Sequence, residues 1–410
     1  MIGGSFWFRV VPSDANRKQV TKLVQRSLLY SNVATQAGML TKQRVYWFPK
    51  MSRGSAFSFL CDCLSSIPAD TQLTPNLLSS ADWSAVTSLA HEYRVSAALA
   101  WALEKASPKS SLPRGIRSFF ASLAARQRQS NERVRDEIVE VGNILNGIGV
   151  VPLQLKGGAH LFADLYPDPA IRQMADLDIL VLSSRLDESV MAMKKSGLVE
   201  LSSYQHPRAH HHAALGRDDL VVPIELHHDV LACPHGTFLT SKEMFASSLQ
   251  VTKHGVRIAL PSATHAVIHN IAHAQLNDHD SVYGRIDLRG LLDLALLSNV
   301  HAKAIDWDEV YRRFIDARHQ TALEYHMHWA RRLGAKVPSR SRMSVTSKLL
   351  YRRAAYQVLK PNLTGLSVRL LRPLVLLRRE LSDSLLRRRL AGNLLTLEWW
   401  RRHLRMLTDA

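Results

Sequence analysis

The chain of 410 residues is long enough for two or three domains, and its 46% hydrophobic and 21% charged residues are ordinary for a soluble protein. Its three cysteines make no disulfide framework, and Cys61 and Cys63 belong to no Cys/His set with zinc-site spacing. No uninterrupted apolar run reaches the roughly 18 residues that cross a bilayer. These features exclude a disulfide scaffold and predict a cytoplasmic protein in a reducing environment.

The net charge of +18 is concentrated at the two ends of the chain. Residues 1–53 hold nine Lys and Arg against one acidic residue, and residues 341–410 hold 15 against four. Residues 54–340 are nearly neutral, with 29 basic and 30 acidic side chains. A protein that binds long nucleic acid usually lines its binding face with positive charge. We therefore expect no long nucleic acid as a partner.

The first two segments are predicted to be a basic extension and a helical region. Residues 1–53 lack a clear pattern, which indicates a disordered extension, or a chain whose true start is Met51. Residues 54–149 form the predicted N-terminal helical region, in which apolar residues recur at steps of three and four from Asp82 onwards. Its helices are expected to begin at Asp82 and to cover about 96–105, 113–123 and 131–147.

Residues 150–260 form the predicted catalytic core, and its first part has an unusual order of elements. The apolar run Val150–Leu155 predicts a strand, and Lys156-Gly157-Gly158 predicts a turn after it. A helix over Ala159–Leu165 follows, then a loop that contains Arg172. The next strand begins with Asp176-Leu177-Asp178 and continues through Leu182. The order is therefore strand, glycine turn, helix, loop and strand.

Two carboxylates on this second strand suggest a metal site. Side chains alternate along a strand, so Asp176 and Asp178 share one face. Neighbouring carboxylates repel each other unless a cation lies between them, and oxygen ligands of this kind suit Mg²⁺. Gly157 and Gly158 would let backbone amides approach a phosphate, to which Lys156 adds a positive charge. A metal site beside a phosphate site is typical of phosphoryl or nucleotidyl transfer.

A third strand, predicted over Val221–Val230, supplies further polar side chains. Glu225, His227 and Asp229 fall on one face of it. Glu225 is the expected third metal ligand, and Asp229 is its competitor. His227 is interpreted as an acceptor-side base, a neighbour of the metal or a packed residue. His206 and His210–His212 are interpreted as a surface loop rather than a zinc site.

The remainder of the chain is predicted to be helical. Residues 261–340 form a helical domain in which His265, His269 and His273 follow one another at steps of four. Residues 341–410 form an Arg/Leu-rich helical tail. Helices with Arg and Trp can lie on anionic membranes, so residues 370–405 either contact a membrane peripherally, dock on a partner or close the fold.

Several of these motifs together resemble a known family. Lys156-Gly157-Gly158, Tyr166–Pro169, Arg172 and Asp176–Val181 are similar to the bacterial uncharacterised nucleotidyltransferase family, which belongs to the polymerase-beta-type nucleotidyltransferase superfamily. The resemblance covers roughly residues 82–338. It implies a mixed α+β/α/β fold, in which a small mixed sheet with helices is flanked by N-terminal helices and a C-terminal helical domain.

The resemblance also implies roles for particular residues. Asp176, Asp178 and Glu225 match the catalytic carboxylates and metal ligands of the superfamily. The residues expected to contact the nucleotide or its phosphates are Lys156, Gly157, Gly158, Arg172, His269 and His273. Gly158 stands where a Ser is common in the superfamily, so a phosphate-binding hydroxyl is missing. The number of residues between Gly158 and Asp176 is also larger than is usual in the superfamily.

The activity that follows from the resemblance is transfer of NMP from an NTP such as ATP to a hydroxyl or phosphate acceptor, with release of pyrophosphate. The expected cofactor is Mg²⁺, with Mn²⁺ as a substitute, and the expected acceptor is a small molecule, a saccharide or a peptide. Two alternatives remain open. One is a non-catalytic scaffold with a basic docking tail, and the other is transfer of a sugar from a nucleotide sugar at the same metal site.

Overall fold

The computed structural model describes residues 50–74, 78, 81–106, 112–201, 210–338 and 343–382, with side chains up to Val375. Three expectations fall outside these residues. They are the disordered extension over residues 1–49, the surface position of His206, and the part of the membrane-contact segment beyond Ser382.

Helices precede the sheet, as the sequence predicts. Asp82 is the N-cap of the second one, because its side chain accepts a hydrogen bond from the Ala85 backbone N–H at 3.1 Å. The helices are α1 (Arg53–Ala69), α2 (Trp83–Glu92), α3 (Ser96–Ala106) and α4 (Arg114–Gly147).

The long helix α4 differs from the prediction, which divided it into two helices at residues 113–123 and 131–147. The structure has one continuous helix of 34 residues. No Gly or Pro interrupts residues 124–130. Gln127 in this stretch and Asn131 just after it are buried and hydrogen-bonded to each other. Asn131 also donates to the Arg172 carbonyl at 2.6 Å. Polar residues that look like a break in the apolar pattern therefore attach α4 to the loop before the second strand.

A seven-stranded mixed sheet follows α4, in the order β3-β4-β5-β2-β1-β7-β6. The central strands β2 and β5 are parallel, and β1 pairs antiparallel with β2. All seven strands lie inside the segment predicted as the catalytic core. They are β1 (Leu153–Gln154), β2 (Leu177–Leu180), β3 (Val199–Glu200), β4 (Leu215–Gly216), β5 (Ile224–His227), β6 (Leu249–Lys253) and β7 (Val256–Leu260).

The predicted glycine turn is the first turn of a helix. Helix α5 (Lys156–Phe162) begins directly after β1, three residues earlier than expected. A Cβ added at Gly157 would lie 2.7 Å from Met174 Sδ, and one added at Gly158 would lie 2.8 Å from Leu177 Cδ1. The two glycines therefore let α5 pack closely against β2 and the loop before it, because any larger residue would collide there.

Helices also follow and flank the sheet. Helix α8 (Ala263–Ala272) continues into a π-helical turn, His273–Asn277. The remaining helices are α6 (Leu186–Lys195), α7 (Ser241–Ala246), α8 (Ala263–Ala272), α9 (Asp280–Tyr283), α10 (Leu288–Val300), α11 (Trp307–Asp316), α12 (Gln320–Arg332), α13 (Val345–Leu359) and α14 (Asn362–Ser382).

The predicted fold class is confirmed, since a mixed sheet is flanked by N-terminal and C-terminal helices. Helix α4 packs on β7, and α1 packs against both α10 and α13. The regions before and after the sheet consequently share one apolar core, and the proposed domain boundaries stay a prediction. Among the described helices, none combines the length and apolar character needed to cross a bilayer.

Candidate active site

The register of the two central strands creates the site. Because β2 and β5 are parallel, Asp178 lies directly beside Glu225, and Leu180 lies beside His227. Strands in the middle of a sheet are covered on both faces, so their side chains are removed from water. The exposed fractions of Asp178, Glu225 and His227 are 2%, 6% and 1%. Two buried carboxylates in contact require compensating positive charge.

Asp178, Glu225 and His227 form a group that could hold a metal ion. One ligand atom from each lies within 4.8 Å of the others, and this is the one such group among the described residues. His227 Nε2 is 2.8 Å from Asp178 Oδ1 and 3.7 Å from Glu225 Oε2. The donor set is two carboxylates and one imidazole, which fits a divalent cation. Asp176, expected as the second aspartate ligand, is not part of this group.

Lys156 provides further positive charge at the same place. Its ammonium group lies 2.9 Å from Asp178 Oδ1, and its backbone is left-handed, with φ of 46°. This conformation is uncommon outside glycine, and here it occurs at the junction of β1 and α5. In this structure the partner of Lys156 is Asp178, and the expected contact of Lys156 with a phosphate stays a prediction.

The pKa values show how these charges balance. Burial opposes ionisation of Asp178, but Lys156 and His227 outweigh it and hold the Asp178 pKa well below its ordinary value. Burial also acts on Glu225, whose pKa is nevertheless lowered by its contact with His227. The carboxylates in turn overcome the effect of burial on Lys156 and His227 and raise the pKa of both. Asp178 and Glu225 are therefore ionised at neutral pH.

Asp176 lies at the edge of this charge cluster and is partly buried. Burial and the neighbouring Asp178 raise its pKa, while Lys156 and Arg289 act in the opposite direction. Arg289, from α10, donates a hydrogen bond to the Gln173 carbonyl at 3.3 Å. It is a cationic side chain beside Asp176 that sequence analysis missed, because it appeared only as one Arg among the leucines of a helix.

The histidines of the loop before β4 differ from the prediction of a surface loop. The rings of His210 and His211 lie 5.1 Å and 5.0 Å from the ring of His227. His211 Nε2 is 3.8 Å from Glu225 Oε2. Burial, together with His227 and His211, lowers the pKa of His210. The loop returns to β5 through a backbone bridge between His211 and His227, which brings these rings to the site.

His269 and His273 approach the site from α8 and the π-helical turn. His269 is buried, and its Nε2 has no hydrogen-bond partner among the described residues. Burial, His273 and Lys156 lower its pKa, so its imidazole is neutral. His273 Nδ1 lies 3.2 Å from an oxygen of Asp278. His269 is thus close enough to Asp178 and Lys156 to interact with their charges, and its buried Nε2 atom is available to a ligand. The His273 ring lies 6.0 Å from the His269 ring.

Arg172, an expected phosphate contact, forms a buried ion pair. Its guanidinium lies 3.1 Å from the carboxylate of Asp293 on α10. The Asp293 carboxylate also accepts a hydrogen bond from the Tyr166 hydroxyl at 3.0 Å. Burial opposes the charge of Arg172, but Asp293 and Tyr166 outweigh it and raise the Arg172 pKa. Arg172 therefore anchors the loop between α5 and β2, with its side chain next to Gly157.

Asp229, the competitor of Glu225, is excluded from the metal-binding group by its position. It follows β5, is half-buried, and its carboxylate lies 3.3 Å from the Nδ1 of its neighbour His228. Of the three side chains expected on one face of this strand, Glu225 and His227 reach the site and Asp229 does not.

An Asp-x-Asp motif that leads into a buried strand, beside a parallel strand with a glutamate in a mixed sheet between helices, is consistent with a nucleotidyltransferase fold. Comparison with protein families agrees with this class. The family model described as uncharacterised nucleotidyltransferase matches residues 79–335, more than half of the chain, and the chain belongs to this family. Neither the curated proteins nor the solved structures contain a significant match.

Proposed function

We propose that the protein transfers NMP from an NTP to a hydroxyl or phosphate acceptor, with release of pyrophosphate and with a divalent cation, Mg²⁺ or Mn²⁺, as cofactor. The observation that carries the proposal is the buried pair of ionised carboxylates, Asp178 and Glu225, on adjacent parallel strands. Family membership supports nucleotidyl transfer in general. Burial of two negative charges costs free energy, and a cation bound between the two carboxylates offsets that cost.

Different residues of the chain would bind the cation and the phosphates. When bound, the cation would supply Lewis-acid stabilisation of charge that develops on phosphate oxygens. Asp178 and Glu225 would hold it, with Asp176 adjacent. Lys156 and Arg289 are positive side chains that interact electrostatically with Asp176, and they would bind and orient the triphosphate. The neutral, buried His269 would donate or accept a hydrogen bond with the nucleotide.

Gly157, Gly158 and Arg172 belong to the proposal as supporting residues. The glycines keep α5 close to β2, which positions Lys156 beside Asp178. Arg172 fixes the loop that leads to Asp176 through its ion pair with Asp293. A phosphate contact of these three residues stays a prediction, as does a nucleotide contact of His273.

The proposed acceptor is a small molecule, a saccharide or a peptide. Residues 54–340 carry almost no net charge, which disfavours a long polyanionic substrate. We also propose peripheral contact with an anionic membrane through the C-terminal helices. The described part of these helices has exposed leucines and basic residues.

Calorimetric titration with each NTP, in the presence of Mg²⁺ or Mn²⁺, tests the proposed function. Wild type is expected to bind at least one NTP in a metal-dependent manner, and Asp178→Asn and Glu225→Gln are expected to lose about tenfold or more in affinity. Asp229→Asn is the matched control, since it removes a carboxylate from the end of the same strand without touching the group. Absence of metal-dependent NTP binding in wild type would contradict the proposal and favour a non-catalytic scaffold.

A further inference from the structure

The three convergent side chains at the site are not the ligands that Mg²⁺ prefers. Mg²⁺ selects oxygen atoms in near-octahedral arrangements and keeps several waters. Here, the third side chain within 4.8 Å of Asp178 and Glu225 is the imidazole of His227. Imidazole nitrogen suits Fe²⁺, Ni²⁺, Cu²⁺ and Zn²⁺, and Mn²⁺ opens the same first-row series, in which the affinity for N/O sites rises towards Cu²⁺.

The contacts of His227 favour a role as ligand over a merely structural role. Its Nε2 faces both carboxylates, while its Nδ1 is buried and has no hydrogen-bond partner among the described residues. Among the described residues, the polar side-chain contacts of the His227 ring are therefore those of its Nε2 with Asp178 and Glu225. Lys156 lies 2.9 Å from the same oxygen of Asp178, so this carboxylate keeps a cationic neighbour when the His227 ring is a neutral metal ligand.

The surroundings hold the ring in this orientation. His227 is on a central strand, with the rings of His210 and His211 packed about 5 Å from it. The backbone bridge between His211 and His227 fixes the loop from which these two rings come. A ligand whose orientation is set by packing is preorganised, and this increases the affinity for a metal that accepts nitrogen.

We infer that His227 Nε2 is a direct metal ligand together with Asp178 and Glu225, and that the site consequently selects a first-row transition-metal ion, represented by Mn²⁺, over Mg²⁺. The inference concerns the cation of the site whose activity is proposed above, and in that respect it rests on the proposed function. Metal binding itself can be measured without nucleotide or turnover.

The first test uses Mn²⁺ alone with the metal-free full-length protein. Calorimetry and competition with Mg²⁺ give the ratio of the two affinities, and pulsed electron paramagnetic resonance of bound Mn²⁺ detects a coupled ¹⁴N nucleus. Wild type is expected to prefer Mn²⁺ by about tenfold or more and to show the ¹⁴N coupling. Absence of this coupling in wild type would overturn the inference, whatever the variants do.

The variants assign the nitrogen to one residue. His227→Asp keeps a ligand atom but replaces nitrogen by oxygen, so it is expected to lose the ¹⁴N coupling and to lower the preference for Mn²⁺ by about tenfold. His228→Asn is the matched control at the end of the same strand and is expected to behave as wild type. Retained coupling in a folded His227→Asp protein, checked by circular dichroism, would contradict the assignment.

Failure of this inference and failure of the proposed function give different results. Mg²⁺-dependent NTP binding without a preference for Mn²⁺ or a ¹⁴N coupling would reject His227 as ligand and retain the transferase. A ¹⁴N-coupled Mn²⁺ site that no NTP affects would retain the ligand assignment and reject the nucleotide function.

Discussion

At the scale of single residues, Asp293 determines where the loop before β2 lies. It is buried on α10 and receives the Arg172 guanidinium at 3.1 Å and the Tyr166 hydroxyl at 3.0 Å. His160 Nδ1 is 3.9 Å away, and burial lowers the His160 pKa to about 4, so this ring adds no charge at neutral pH. Asp293 is thus the negative charge that pairs with buried Arg172.

Asp293→Asn is expected to lower the free energy of unfolding by about 3 kcal/mol, because it leaves the Arg172 charge buried without its counter-charge. Urea denaturation followed by circular dichroism measures the loss. Asp164→Asn is the control, since Asp164 pairs with Arg135 and Lys253 at the surface and its removal should cost about 1 kcal/mol or less. Equal losses in the two variants would show that Arg172 does not depend on Asp293.

At the scale of elements, Glu137 connects helix α4 to the segment that enters β5. Its buried carboxylate accepts a hydrogen bond from the Val221 backbone N–H at 2.5 Å. Burial raises the Glu137 pKa to about 7, although this hydrogen bond acts in the opposite direction. The segment that leads into the strand of Glu225 and His227 is therefore bonded to the Glu137 carboxylate, whose charge changes near neutral pH.

The sign of the resulting pH dependence follows from linkage. The raised pKa means that the folded state binds the Glu137 proton more tightly than the unfolded state, so stability is lost as pH rises from about 4.5 to above 7. The shift corresponds to about 3 kcal/mol. Relative to Glu137→Gln, wild type should lose about this much stability between pH 5 and pH 8.

Urea titrations of both proteins at the two pH values measure this difference, and effects common to both proteins cancel. Glu140→Gln, on the exposed side of the same helix where Glu140 pairs with Arg217, is the control and should show little change with pH. A difference between wild type and Glu137→Gln that stays constant, or grows in favour of wild type as pH rises, would contradict the raised pKa.

At the scale of the whole molecule, the C-terminal helices give the protein an asymmetric surface. Leu366, Leu370 and Leu374 are 46%, 60% and 61% exposed and follow at steps of four along one face of α14. Residues 343–375 contain no Asp or Glu and six Lys or Arg. Exposed leucines among basic side chains fit the surface of an anionic membrane, where apolar burial and charge attraction act together.

The full-length protein is expected to sediment with vesicles that contain roughly 30% phosphatidylserine, more strongly than with neutral vesicles and less at high salt. Replacing Leu366, Leu370 and Leu374 by Ser should weaken this binding by about tenfold or more. Leu249→Ser, at an exposed leucine of β6, is the control and should have no effect. Equal binding to neutral and anionic vesicles, or undiminished binding of the triple variant, would reject membrane contact.

Local patterns in the sequence predicted much of the fold. The helix predicted over residues 96–105 spans Ser96–Ala106 in the structure, because the recurrence of apolar residues is a local signal. The prediction was wrong where polar residues are explained by distant contacts. The prediction ended one helix at residue 123 and began the next at Asn131, but residues 124–130 are helical. Gln127 is buried there and hydrogen-bonded to Asn131, which also donates to the Arg172 carbonyl.

By itself, the sequence determined the class of fold, the family and the carboxylates Asp178 and Glu225, because strand alternation and motif spacing are encoded over a few neighbouring residues. Only the tertiary structure decided the neighbours of these carboxylates. The pairing of β2 with β5 placed His227 next to Asp178, and the junction of β1 and α5 placed Lys156 there. The packing of α10 paired Asp293 with Arg172. Such partners come from strand register and helix packing between residues far apart in the chain, which no local pattern specifies.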